Sequence, residues 1–228
     1  RGRDMTEMAS TSVISGQTLA ELGDEYPQLV VLGGDLNKST SASLFAEKFP
    51  DRFFDFGPAE QNIVSVAAGM ASSGKIPVVS TFAVFATSRP YDQLRVGVAQ
   101  PQLNVKVVAT HSGIITGEDG VSAQCIEDVA IMCALQEFTV IVPADGVEAR
   151  AAVRAAVEND GPFYIRLSRP ATPVVHDNGY DGFKLATAET LREGADATIV
   201  ACGIMVAVAI RAAEALAADG IECRVLNM

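Results

Sequence analysis

Histidine is scarce in this 228-residue sequence. Only His111 and His176 are present, and neither lies near a second potential ligand, so no metal site held by this chain alone is expected. The four cysteines, Cys125, Cys133, Cys202 and Cys223, stand singly in apolar stretches without a CxxC pair, which argues against a disulfide framework and for a reduced, cytoplasmic chain. Positive charge is short as well. Seventeen Lys and Arg against 28 Asp and Glu leave a net charge of −11, with the basic residues scattered, so neither nucleic acid nor an anionic membrane is an expected partner. No run approaches the roughly 20 apolar residues of a membrane helix, and the opening RGRDMTEMASTS lacks the apolar core of a secretory leader. Missing too are G-x-x-x-x-G-K-[ST], G-x-G-x-x-G after a strand, and G-x-S-x-G. Their absence speaks against a phosphate loop, a dinucleotide fold and a serine-triad hydrolase.

What is present is the make-up of an ordinary globular protein: 49% hydrophobic, 20% charged, 19 Gly and 10 Pro, which excludes disorder and a collagen-like repeat. Short runs rich in Val, Ile and Thr recur at Leu29–Leu32, Pro77–Thr81, Val105–Thr110, Phe138–Val142, Phe163–Leu167, Ala197–Cys202 and Cys223–Leu226. They lack polar alternation, as strands covered on both faces do. Helical spacing fills the gaps at Ser15–Glu25, Glu60–Ser73, Val147–Glu158 and Met205–Ala218. The alternation predicts an α/β fold with a mainly parallel sheet and helices on both faces.

The predicted organisation is an N-terminal tail over 1–10, a main domain over 11–170, a linker or small hairpin over 171–192, and the incomplete beginning of a second α/β domain over 193–228. A lone strand-helix-strand piece cannot bury both faces of its sheet. It is expected either to continue beyond Met228 or to pack on something else.

Ligands of parallel sheets gather at the carboxyl ends of the strands, so the residues after each strand carry most weight. There lie Gly33–Thr40 (GGDLNKST), Thr81–Phe85, His111–Gly120 and Arg166–Arg169. Glu60, in the first turn of an otherwise small and apolar helix, has two readings. It is either a carboxylate favoured by the helix dipole, or one held at the mouth of a buried site where it shares a proton with a ring nitrogen. Phe82 and Phe85 are compatible with core packing or with stacking on a ligand. Spacing alone leaves these alternatives open.

Taken together, GGDL (33–36), GPAEQN (57–62), TFAVF (81–85), THSGIITGEDG (110–120), VPADGVEA (142–149) and RLSRP (166–170) resemble the pyrimidine-binding half of transketolases, most closely the C-terminal subunit of split, two-chain members. The likeness spans about residues 10 to 228. It implies thiamine diphosphate as cofactor, with Glu60 on N1′ of the aminopyrimidine and Phe82 and Phe85 stacking on its ring. Asp35 and Leu36 would lie near the thiazolium. His111 would be a catalytic residue facing the substrate, Asp119 would contact a sugar hydroxyl, and Ser39 and Arg169 would contact its phosphate. The sequence has no GDG…N motif for the metal, so Mg²⁺ and the diphosphate would belong to an N-terminal partner subunit in a heterotetramer of two plus two chains. The implied activity is transfer of a two-carbon ketol unit from a ketose to an aldehyde. A deoxyxylulose phosphate synthase, a 2-oxo acid dehydrogenase β subunit and a non-catalytic assembly subunit remain as alternatives.

Three positions depart from the family pattern. Ser12 stands where an arginine is expected, Ala123 where a substrate-contacting histidine is expected, and Ser88 where an aromatic is expected. Each charged hydrogen bond lost from a phosphate channel weakens binding by about 1.5 to 3 kcal/mol, which predicts a non-standard sugar or keto substrate.

Overall fold

A computed structural model describes residues 5–177 and 179–228; the first four residues of the expected tail, and residue 178 of the expected linker, lie outside it. The strands are β1 (Met8–Ala9), β2 (Leu29–Gly33), β3 (Phe53–Asp55), β4 (Ile76–Phe82), β5 (Lys106–Thr110), β6 (Thr139–Ile141), β7 (Phe163–Arg166), β8 (Thr172–Pro173), β9 (Glu189–Arg192), β10 (Ala197–Ala201) and β11 (Cys223–Asn227). The helices are α1 (Thr11–Glu25), α2 (Ser43–Lys48), α3 (Glu60–Ser72), α4 (Ala83–Thr87), α5 (Asp128–Cys133), α6 (Gly146–Glu158) and α7 (Met205–Ala218), with a π-helical segment at Gln93–Ala99.

Six strands form one all-parallel sheet in the order β3-β2-β4-β5-β7-β6. Successive residues of β2 serve opposite faces. Val30 and Leu32 join Ile63, Val64 and Ala67 of α3, Ala83 and Ala86 of α4, and Met132 of α5. Leu29 and Val31 join Leu19 and Leu22 of α1, Phe45 of α2, and Ala152 and Val153 of α6. Every residue of β2, β4 and β5 is therefore buried, which is why these strands read as unbroken apolar runs. Helix α1 begins four residues before its apolar periodicity does, because the Ser10 hydroxyl accepts from the Val13 amide and caps it.

Residues 171–192 contribute a strand to each neighbour. β8 pairs antiparallel with β1, and β9 pairs antiparallel with β11 in a second sheet ordered β10-β11-β9. Helix α7 packs on one face of that sheet through Val206, Ile210 and Ala213, while Val200 on β10 is exposed.

A buried polar cluster joins the two units. Asp145, the N-cap of α6, accepts from the Val175 and His176 amides at 2.7 and 2.9 Å and lies 3.0 Å from His176 Nδ1. On the other side, His176 Nε2 is 3.0 Å from Glu189 on β9, and Asn227 of β11 donates to Glu148 at 3.0 Å. Burial pulls the His176 imidazole down, but its hydrogen bonds to Asp145 and Glu189 and the charges of Asp145 and Glu148 outweigh this and hold it above its ordinary value of 6.5. A raised folded-state value means that the stabilisation is complete below 6.5 and is lost as pH rises through the higher folded value. Denaturant midpoints should therefore fall on the alkaline side of pH 6.5, and His176→Gln should flatten that slope. An unchanged slope in the variant would sink this assignment.

Candidate active site

The register aligns the carboxyl ends of β2, β4, β5 and β7, with Gly33 opposite Ser80, Phe82 opposite Thr110, and Ala109 opposite Arg166. The sheet's strand order diverges on either side of β2, the position where open α/β sheets form a crevice. At that point Gly34 packs so closely that an added Cβ would lie 3.3 Å from Ile63, 3.5 Å from the Gly57 carbonyl and 3.6 Å from Thr81 Oγ1. Gly57 itself turns at φ +66°, in the left-handed region, and so directs the chain into α3.

Glu60 is the first residue of α3 and is 3% exposed. Both its carboxylate oxygens accept from one nitrogen, Nη1 of Arg89, at 3.2 and 3.1 Å. The Arg89 guanidinium in turn lies 4.3 Å from the centre of the Phe85 ring. Phe85 is nearly parallel to Phe82, with ring centres 5.9 Å apart and planes 11° apart. Phe82 stacks on His111 at 3.6 Å and 14°. His111 Nε2 is 3.7 Å from Asp119, and Asp119 forms an ion pair with Arg169, Oδ2 to Nε 2.9 Å. Six of the residues singled out in the sequence, Glu60, Phe82, Phe85, His111, Asp119 and Arg169, thus form an unbroken line of contacts completed by Arg89.

The remaining three, Asp35, Leu36 and Ser39, sit in the loop after β2. The loop is held at Asp35 to the Gly57 turn that precedes α3, because Asp55 Oδ1 accepts from the Asp35 amide at 3.1 Å and from the Gly57 amide at 2.9 Å. Asp35 and Ser39 are exposed, and Asp35 adopts a left-handed φ of 65°. Asp55 and Arg89 were both missed by sequence reasoning. Arg89 lies four residues after Phe85, on the same side of a helical turn, and that spacing was the available clue.

His111 is itself strained, at φ 57° with a bulky ring. Burial lowers its value to about 4, with Asp119 opposing and Arg169 adding to the fall, so the imidazole is neutral near pH 7. Thr110 Oγ1 lies 2.9 Å from its Nδ1, leaving Nε2 to face Asp119. Of the departures, Ser12 is buried beside the Thr11–Ser168 hydroxyl pair at 3.1 Å, adjacent in sequence to Arg169. Ala123 is buried and Ser88 is exposed. Among the described residues, no group of three or more His, Cys, Asp or Glu is placed to hold a metal ion. None of the described helices is long and apolar enough to cross a membrane.

The parallel sheet gathers a buried carboxylate, two parallel phenyl rings and a neutral histidine at the carboxyl ends of its strands. A family model described as the transketolase pyrimidine binding domain matches residues 7–174, and one described as the transketolase C-terminal domain matches residues 186–228. A putative transketolase C-terminal section from Methanocaldococcus jannaschii is 44% identical, covering 93% of this chain and 68% of its own length. A 6-deoxy-6-sulfo-D-fructose transketolase subunit from Clostridium sp. is 43% identical, covering 92% of this chain and 65% of its own length. A solved structure described as a split gene transketolase, inactive beta4 tetramer, superposes with a TM-score of 0.88 at 48% identity, covering 96% of this chain and 70% of that one. The chain belongs to the transketolase family, within which it corresponds to the C-terminal, pyrimidine-binding section. It spans only 34% of human transketolase, to which it is 37% identical.

Proposed function

We propose that this chain is the pyrimidine-holding subunit of a two-chain, thiamine-diphosphate-dependent transketolase that transfers a two-carbon ketol unit from a ketose to an aldehyde. The line of contacts from Glu60 to Arg169 carries this reading. It runs from an acid suited to a ring nitrogen to a guanidinium suited to an anion, as a substrate lying across a cofactor requires. The residues present fit the cofactor. Glu60 is buried, Phe82 and Phe85 share a stacking direction, and Thr81 Oγ1 is a buried hydroxyl without a hydrogen-bond partner beside the Gly34 crevice.

Thiamine diphosphate, when bound, would supply the nucleophilic carbon that ketol transfer needs. This chain's residues prepare that step. Glu60 shares a proton with the ring nitrogen N1′, and burial keeps water from competing for it. Phe82 and Phe85 fix the tilt of the ring, each stacking contact being worth about 1 kcal/mol beyond area burial. Asp35 and Leu36 would border the thiazolium side. His111, neutral and pinned on Phe82, offers hydrogen bonds to the donor's hydroxyl or developing alkoxide. Asp119 receives a sugar hydroxyl, and Arg169 and Ser39 receive the anionic end. Mg²⁺ and the diphosphate are assigned to an N-terminal partner subunit, with two copies of each chain in a cytoplasmic assembly. The relative described as an inactive β4 tetramer supports this reading, since a lone C-terminal section would self-associate without turning over.

Ser12 and Ala123 remove a cation and an imidazole from the anion end, so the substrate differs from the standard pentose phosphates. The relative named for a sulfofructose gives that inference a precedent within the family. The reconstituted pair should turn over xylulose 5-phosphate with ribose 5-phosphate at least roughly tenfold less efficiently than its own substrate, the size of one lost charged hydrogen bond. Full efficiency with the pentose phosphates would overturn the substrate assignment, and pyruvate decarboxylation by the pair would move the enzyme to the 2-oxo acid branch.

A further inference from the structure

We propose that Arg89 is a built-in occupant of the pyrimidine site, which the cofactor must displace. The inference rests on the reading that Glu60 and Phe85 are the residues that meet the aminopyrimidine. A guanidinium and an aminopyrimidine are alike in two features this site reads, being flat groups that bring a nitrogen to the carboxyl, as N–H donors in the guanidinium and as N1′ sharing the carboxyl proton in the pyrimidine, and that offer a face to stack on aromatic rings. In the chain by itself the Arg89 guanidinium already makes both contacts. It donates to the two Glu60 oxygens at 3.1 and 3.2 Å and lies over Phe85 at 4.3 Å. Both carboxylate oxygens are engaged by the same nitrogen. On this proposal the guanidinium leaves as the carboxyl turns to a ring nitrogen.

The surroundings suit an exchange. Glu60 is 3% exposed, and a buried carboxylate left unpaired is costly, so an internal counter-ion keeps the empty site folded. The Arg89 side chain is half exposed, so it can swing into solvent through its own torsions. Its main chain stays docked, because the Arg89 carbonyl accepts from Gln61 Nε2 at 3.2 Å, one residue beyond Glu60. Arg89 precedes Pro90, which disfavours a helical backbone at that position and keeps the residue on a loop after α4. The cost of displacing the guanidinium is subtracted from the cofactor's apparent affinity.

The test is a calorimetric titration of the assembled two-chain complex with thiamine diphosphate and Mg²⁺, comparing wild type with Arg89→Ala, Arg89→Met and Arg89→Lys. Loss of a displaced charged contact should tighten binding about tenfold or more in the Ala and Met variants, while Lys, which can pair but not lie flat, should fall between. Millimolar guanidinium chloride should weaken cofactor binding in Arg89→Ala more than in wild type, by refilling the same place. Wild-type binding together with equal or weaker binding by both Ala and Met variants would overturn the proposal and make Arg89 a positioning residue for Glu60. Absence of cofactor binding by the wild-type complex would instead overturn the functional reading, and this inference with it.

Discussion

Glu60→Gln in the reconstituted two-chain enzyme is expected to lower turnover by roughly 10²- to 10⁴-fold, the range for removing a positioned proton-transfer group. The amide keeps the size and planarity of the carboxyl but cannot exchange a proton with a ring nitrogen. The change should fall on kcat, with far less effect on KM, because the substrate end of the line, from His111 to Arg169, is untouched. Circular dichroism and assembly should match the wild type, since the side chain's volume is conserved at a position only 3% exposed. Unchanged turnover would identify a subunit needed for assembly alone.

The second large effect concerns the partner chain. By itself, this polypeptide should bind thiamine diphosphate at least about 100-fold more weakly than the two-chain complex and show no ketol transfer. On the proposed assignment it would offer contacts to one ring while the partner binds the charged tail, and the ordering cost of binding would be offset only when both halves engage. Beside the site, Ile114, Val121 and Ile126 are 76%, 87% and 74% exposed, an unusual concentration of apolar side chains on one loop region. Addition of the partner should protect the 113–126 segment from proteolysis as cofactor affinity rises. Tight binding by the isolated chain, or cleavage of that segment indifferent to the partner, would contradict a site shared between two polypeptides.

Much of this architecture was legible in the sequence where a single physical cause dominated. β2, β4 and β5 are buried on both faces, so apolar continuity revealed them, and α7 (Met205–Ala218) coincides with its periodic segment. β3 escaped because it is a three-residue edge strand whose side chains are partly or wholly exposed, which leaves no hydrophobic pattern to read. β8 and β9 escaped because they are short and lie in a stretch dominated by turn residues. The line of site residues could be named individually from motifs, yet its continuity depends on ring stacking and on Arg89, which are properties of three-dimensional placement. Asp55 was hidden for a similar reason. Its importance lies in joining the Asp35 and Gly57 amides on one carboxylate oxygen, and an acidic residue two positions before a Gly-Pro pair does not reveal that. His176 read as an isolated histidine until the fold brought Asp145 and Glu189 to its two nitrogens.

In the proposed complex an acid from one polypeptide completes a vitamin-derived cofactor carried chiefly by another. A structure of the assembled complex with thiamine diphosphate and Mg²⁺ measures this directly. Hydrogen-bond contact between the Glu60 carboxyl and N1′, with the ring against Phe82 or Phe85, is the predicted result; a cofactor bound with position 60 out of reach, or a site built from a single chain, would contradict it.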